Sequence, residues 1–396
     1  MNREILSESA RALPPSEIRK ILALASQMQD VVHLEIGDPD FPTPPHIVEA
    51  ACRAAAGGDT HYTATKGMTP LLEAVAAKLR RDNGIACDPA TEVIVTVGAV
   101  GAIFSACMAA LDPGDEVIVT DPCWPNYQGQ VMMTGARPVP LPLREELGFS
   151  LDLDELKAKL SPKTRMIILN SPNNPTGSVL SRDTLLAIGD VALKRDLLVL
   201  CDEVYEKILF DGERHFSLGS VRELKDHVIT VNSVSKTFAM TGWRAGYACG
   251  PRVLIDGMAK VQENSASCVS SVVQRAAMAA LTGPEEPVAE MVRAYKRRRD
   301  TLWSGLTGIP GMKCAKPKGA FYLFPNISAF GLSSFDFAIA LLKEARVATV
   351  HGSGLGQYGE GHVRISYSTS DANLVEALSR MREFAESRLG SERSSP

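Results

Sequence analysis

Between about residue 46 and residue 280, short unbroken apolar runs alternate with segments of helical apolar spacing, and this alternation constrains the fold more than any other property of the chain. Met166-Ile167-Ile168-Leu169 and Leu197-Leu198-Val199-Leu200 carry no polar residue at alternate positions, as strands buried on both faces of a parallel sheet require. Val93–Val97, Glu116–Thr120 and Val228–Val231 read as β-branched strands. Pro70–Asp82 has helical spacing that ends at Asn83-Gly84, a helix runs to about Leu111, and Asp112-Pro113-Gly114-Asp115 is a turn. Strand, crossover and strand in this order predict an α/β fold with a mostly parallel central sheet flanked by helices.

After about residue 285 the texture changes. A charged helix from about Glu286 to Leu306 leads to Phe321–Phe324 and Val363–Tyr367 as strands, which is the pattern of a smaller α+β unit. The expected organisation is an N-terminal arm and part of the small domain over 1–45, a large domain over 46–285, and a C-terminal small domain over 286–396. A length of 396 residues suits two such units. The Ser/Glu/Arg-rich tail from about Ser387 is expected to fray.

Several function classes are disfavoured. A net charge of −4 gives no support for binding nucleic acid or an anionic membrane, and Lys296-Arg297-Arg298-Arg299 reads as a solvated helix face. No apolar stretch reaches the length of a membrane span, and Met1-Asn2-Arg3-Glu4 leads into no signal-peptide pattern. The eight cysteines form no C-x-x-C pair and the histidines no H-E-x-x-H. Reduced thiols in a cytoplasmic protein without a metal are therefore expected.

The candidate chemistry sits where strands end, the edge at which open parallel sheets bind ligands. Lys236, in Ser233-Val234-Ser235-Lys236-Thr237, lies just past the strand Val228–Val231. A lysine amine forms a Schiff base with a carbonyl where its surroundings favour the neutral form. Ser233, Ser235 and Arg244 are suited to an anionic phosphate beside it. Asp202 follows the run Leu197–Cys201 directly, so it needs a cationic or hydrogen-bonding partner: a protonated pyridine nitrogen, or a structural lysine or arginine.

Asn170-Ser171-Pro172-Asn173-Asn174-Pro175-Thr176-Gly177 is a tight turn by composition, and it can also fix an asparagine against a ring. Gly98-Ala99-Val100-Gly101 opens a helix whose N–H groups can approach an anion. Trp124 offers a flat ring for stacking, or for the core. Arg364 interrupts an alternating strand, either as a carboxylate clamp or as a surface residue.

Taken in order, His61–Gly67, Ser171–Gly177, Asp202-Glu203-Val204-Tyr205 and Ser233–Arg244 resemble the pyridoxal-phosphate-dependent aminotransferases of class I/II, fold type I, in their aspartate/aromatic branch. The resemblance runs from Leu34–Phe41 to Val363–Tyr367. It implies pyridoxal 5′-phosphate bonded to Lys236, which also moves the substrate's proton, with Asp202 on the ring nitrogen. It places Tyr205 and Asn174 on the ring's phenolic oxygen, and Ser233, Arg244 and the backbone of Ala99 and Val100 around the phosphate. Trp124 stacks on the ring, and Gly37 and Arg364 receive the substrate α-carboxylate. Tyr62 reaches the neighbouring subunit's site, so a homodimer with shared sites is implied.

The implied reaction moves an amino group from an L-amino acid to a 2-oxo acid, with 2-oxoglutarate the expected acceptor. The donor is aspartate, an aromatic or a small neutral amino acid. The same lysine and aspartate also serve lyases, decarboxylases and cyclases, which begin from the same stabilised carbanion. An effector-binding domain fused to a DNA reader is disfavoured because no basic patch or helix-turn-helix pattern is visible. The chain departs from relatives at Val100, where some carry a lysine for a distal carboxylate, and at Cys123 and His351. Arg11 and Arg19 are candidates for an arginine that reads the substrate side chain, with ordinary surface helix residues the expected alternative.

Overall fold

The computed structural model describes residues 5–392. In chain order its strands are β1 (Val32–His33), β2 (Val93–Val97), β3 (Glu116–Asp121), β4 (Arg137–Pro142), β5 (Thr164–Asn170), β6 (Leu198–Asp202), β7 (Val228–Ser233), β8 (Ala245–Cys249), β9 (Tyr322–Leu323), β10 (Val347–Ala348), β11 (Val350–His351) and β12 (Val363–Ser366), with helices between. The strands β2 to β8 make one sheet ordered β2-β8-β7-β6-β5-β3-β4. From β7 to β4 every neighbour is parallel, and only β8 runs against both β2 and β7.

The apolar runs behave as strands covered on both sides. Met166–Leu169 and Val199–Cys201 are at most 4% exposed. Successive side chains enter opposite layers: Ile167 and Leu169 join one core cluster, while Met166 and Ile168 join another, as the two-residue period of a strand dictates. Helices Gly98–Ala110 and Arg252–Ser265 cover one face, and Arg182–Arg195 the other. Because β2, β3, β5, β6 and β7 point the same way, Val97, Asp121, Asn170, Asp202 and Ser233 all arrive at one edge.

A second layer group lies beyond that edge. β11-β12-β9 form a small antiparallel sheet, and β1 pairs in parallel with β10, tying the N-terminal segment to the C-terminal part of the chain. Helices Glu286–Thr307, Ser334–Ala345 and Asp371–Glu392 share a core with these strands around Phe321, Phe337, Leu341 and Tyr367.

Two expectations are corrected. The run Lys296–Arg299 is not a uniformly solvated face. Arg298 is 6% exposed and holds Asp40 through both terminal nitrogens at 2.7 and 2.8 Å, and Arg299 is fully buried on Asp211 and Asp300. Their guanidinium groups also stack over Phe41 and Phe210. Each buried charge is thus paired and hydrogen-bonded, which the sequence run could not reveal. The tail is helical through Glu392 rather than frayed from Ser387, because Ala377, Met381 and Ala385 on its inner face pack into the core. Met1–Glu4 and residues 393–396 lie outside the described residues.

Candidate active site

A cleft of about 480 Å³ opens at the carboxyl ends of the parallel strands, between the large sheet and the small one. It is lined by Gly37, Ala99, Val100, Trp124, Asn174, Asp202, Tyr205, Ser233, Lys236, Arg244 and Arg364, eleven of the twelve residues predicted for the site. Tyr62 is the exception. It lies outside this cleft and is 90% exposed.

β7 ends at Ser233, whose hydroxyl accepts the N–H of Ser235 at 3.3 Å and starts the one-turn helix Val234–Thr237. That turn holds Lys236 in the cleft, where its amine donates to the carbonyl of Gly37 at 2.7 Å. Burial lowers the Lys236 ammonium to about 8, with Asp38 opposing and Arg364 and Arg244 adding to the shift. A lysine so placed is partly neutral near physiological pH, as a nucleophilic amine must be.

Asp202 ends β6 and is 3% exposed. Tyr127 donates its hydroxyl to Oδ2 at 2.6 Å and the Val204 N–H reaches Oδ1 at 3.2 Å. Among the described residues no lysine or arginine pairs with it, so the structural ion pair considered for this aspartate is not formed. Burial raises its carboxyl to about 6 despite these two donors. Beside it, the Asn170 side chain donates to the Asp202 carbonyl at 3.0 Å and accepts the Asn174 N–H at 2.8 Å, coupling the asparagine turn to β6.

Arg364 on β12 is 2% exposed, not a surface residue. Its guanidinium donates to Asn174 Oδ1 at 3.1 Å and to the Glu35 carbonyl at 2.5 Å, and stacks over the Tyr322 ring at 4.7 Å. The Tyr322 and Tyr205 hydroxyls are 2.9 Å apart, and burial raises both phenols. Trp124 meets Tyr127 edge to face at 5.4 Å, leaving its own ring on the cleft wall.

The floor is shaped by close backbone approaches. Helix Gly98–Ala110 has no side-chain cap, so the N–H groups of its first turn have no partner within the helix. Gly98 adopts φ +69°, and a Cβ there would run into the Arg244 guanidinium, while a Cβ on Gly246 would collide with the backbone of Gly98 and Ala99. Together these features leave an anion cradle at a helix N-terminus.

Behind Asp202 lies a buried charge network. Lys78 pairs with Glu206, the Asn83 amide donates to Glu206 and Ser217, Ser217 donates to Glu203 at 2.6 Å, and His215 lies 2.8 Å from Glu203. Burial opposes a charge on His215, but the two glutamates outweigh it and raise the imidazole.

Sequence reading missed Tyr127 and Tyr322. Tyr127 follows Trp124-Pro125-Asn126 in a helix with no signal beyond its apolar spacing, and Tyr322 is hidden in the aromatic run Phe321–Phe324. Arg19 is an exposed residue of helix Glu17–Ala25, as expected, and with Ile18 it also lines the cleft. Arg11 does not line the cleft.

Residues 29–381 match the family model described as aminotransferase class I and II. The chain is 43% identical over 378 residues to an aromatic-amino-acid aminotransferase 2 of Thermococcus litoralis, covering 95% of this chain and 97% of that one. It is 44% identical over 378 residues to an aspartate aminotransferase of Pyrococcus abyssi, with the same coverage. The solved aspartate aminotransferase from Thermus thermophilus with maleate superposes with a TM-score of 0.92 at 41% identity, over 96% of this chain and 100% of that one.

Proposed function

The chain belongs to the aminotransferases of class I and II, and we propose that it carries out its amino-group transfer with pyridoxal 5′-phosphate held in the cleft at Lys236, Asp202 and Arg364. The observation that carries this reading is Asp202, a buried carboxylate oriented by two donors and raised to about 6 by its burial. A protonated pyridine nitrogen is the partner such a group fits. The uncapped helix N-terminus, Arg244, Ser233 and the side-chain-free floor at Gly98 and Gly246 suit the phosphate. The donor set therefore fits the cofactor.

When bound, pyridoxal phosphate supplies the electron sink for the charge released as the substrate's α-proton leaves. The remaining work belongs to the chain. Lys236 offers an amine that is neutral in part, which would hold the cofactor and could carry the substrate's α-proton. Asp202, steadied by Tyr127, would pair with the ring nitrogen and favour its protonated form. Asn174 gives its Oδ1 to Arg364, so its amide N–H is left for the phenolic oxygen, with the Tyr205 hydroxyl alongside. Trp124, on the cleft wall, would offer its flat ring to the cofactor. Arg364 can exchange its present acceptors for the two oxygens of an α-carboxylate close to Gly37. Closing the small sheet onto that carboxylate would exclude water.

The full-length similarity to transaminases favours this chemistry over the lyase, decarboxylase or cyclase reactions that the same lysine could serve. The two donor names among the relatives, aspartate and aromatic amino acid, support a donor drawn from those classes, with 2-oxoglutarate as acceptor. The exposure of Tyr62 away from its own cleft supports a homodimer in which it completes the partner's site. We take 46–285 as the cofactor-binding body, 286–396 as the closing domain and 1–45 as an arm packed with it. No helix among the described residues is long and apolar enough to cross a membrane, and the scattered cysteines suit the reducing cytoplasm.

A panel of amino donors with 2-oxoglutarate, scored by kcat/KM and product identity, tests the function. Glutamate and the donor's 2-oxo acid should appear in equal amounts. Ammonia or carbon dioxide in place of glutamate would overturn it.

A further inference from the structure

A second cavity, of about 310 Å³, lies behind the turn that carries Lys236. Its size is at the small end of the roughly 300–1,000 Å³ span of ligand sites. Ser233 lines both this cavity and the cleft, whereas Lys236 lines the cleft alone and Thr237 and Phe238 line the rear cavity. Another wall is formed by Val288, Ala289 and Val292 of helix Glu286–Thr307, which shares its core with the small sheet.

The strands β7 and β8 set Asn232 and Tyr247 directly opposite each other, so both side chains leave the same face of the sheet. They are 1% and 4% exposed, and both line the cavity. The Asn232 Oδ1 accepts the Ser233 N–H at 2.8 Å, which fixes the amide, and its Nδ2 has no partner. The Tyr247 hydroxyl has no hydrogen bond among the described residues either. Buried polar groups are rarely left so, and two side by side in one wall suit a single oxygen that meets both.

The charges around the cavity are already matched within the protein. Lys78 pairs with Glu206, Arg81 and Lys207 with Asp82, and Arg293 with Glu286. A charged ligand therefore finds no unmatched partner, whereas Phe238, Leu281 and Val292 offer apolar surface to a ring. A hydroxyl oxygen can accept from Asn232 and share a hydrogen bond with Tyr247 at the same time.

We propose that this cavity is a second ligand site, for a small uncharged aromatic alcohol or phenol, whose occupant acts on Lys236 through the shared turn Ser233–Thr237. The site is separate from the substrate cleft, and binding there does not depend on the transaminase reading.

Isothermal titration of the holoenzyme with benzyl alcohol tests it in wild type, Tyr247→Phe and Ala289→Phe, with the cofactor's absorbance followed against pH in the same samples. Wild type should bind one equivalent per chain, and the pH midpoint of the absorbance should shift as it does. Tyr247→Phe, which loses one hydrogen bond, should bind roughly 2- to 10-fold more weakly. Ala289→Phe, whose ring would fill the cavity, should show neither binding nor shift. Tyr247→Phe keeps its ring in the core, so it decides the question even where Ala289→Phe fails to fold. No saturable binding by wild type, equal binding by wild type and Tyr247→Phe, or binding that leaves the midpoint in place would each overturn the proposal.

Discussion

Tyr127 donates its hydroxyl to Asp202 at 2.6 Å, and this bond orients a buried carboxylate that no lysine or arginine among the described residues neutralises. Its removal is informative. Tyr127→Phe keeps the ring that meets Trp124 but leaves Oδ2 without its donor. A hydrogen bond to a charged group is worth about 1.5–3 kcal/mol, so affinity for pyridoxal phosphate should fall roughly 10- to 150-fold. Titration of the cofactor-free protein by fluorescence measures this directly.

Asp202 also predicts a pH dependence. Its folded-state pKa, about 6, is raised above the unfolded value, so its contribution to stability is present below about pH 4 and is lost as pH rises through about 6. A ring nitrogen carrying a proton would remove that loss. The rise in Tm on adding pyridoxal phosphate should therefore be larger at about pH 7.5 than at about pH 5, and Asp202→Asn should shrink the difference to the part that comes from the Lys236 amine. Asp121, also raised to about 6, is present with and without cofactor and cancels in this comparison.

Arg364→Lys retains the charge and loses the fork that now bridges Asn174 and the Glu35 carbonyl. KM should rise about tenfold or more for every amino and 2-oxo acid alike, since each carries the same α-carboxylate. Steady-state kinetics with aspartate, phenylalanine and alanine would show it. A change confined to acidic substrates would contradict the placement of Arg364.

His215 tests the network behind the site. Burial works against its charge, but Glu203 and Glu206 raise its pKa above 6.5. Its stabilisation is full below about 6.5 and is lost as pH rises through the folded-state value. The urea midpoint should decline as pH rises above about 6.5, and His215→Gln should be less stable at about pH 6 and lack that decline. An identical slope in the variant would assign the titration elsewhere.

The sheet was legible where strands are buried on both faces, because continuous apolar runs such as Met166–Leu169 have few other uses. β8 was not. Ala245-Gly246-Tyr247-Ala248-Cys249 lacks β-branched residues and is a strand because its small side chains let it lie against β2 and β7 and beneath the Gly98 turn. β4 was hidden by Pro138, Pro140 and Pro142, which an edge strand tolerates on its unpaired side. Within the site, residues at strand ends could be found by position, as Asp202 and Lys236 were. Tyr127 and Tyr322 come from a helix and from the small sheet, and only the three-dimensional arrangement brings them to the cleft. The burial of Arg298 and Arg299 depended on Asp40, Asp211 and Asp300, and sequence does not show which charges meet.

The central claim is that Lys236 is the residue that bonds the cofactor. Borohydride reduction of the holoprotein, followed by proteolysis and mass spectrometry, tests it most directly, because reduction fixes a lysine–cofactor imine as a stable amine. The prediction is one pyridoxyl group per chain, on the peptide containing Ser233-Val234-Ser235-Lys236-Thr237, and none in Lys236→Ala. A label on another lysine, such as the buried Lys78, or no label on a protein saturated with the cofactor, would contradict it.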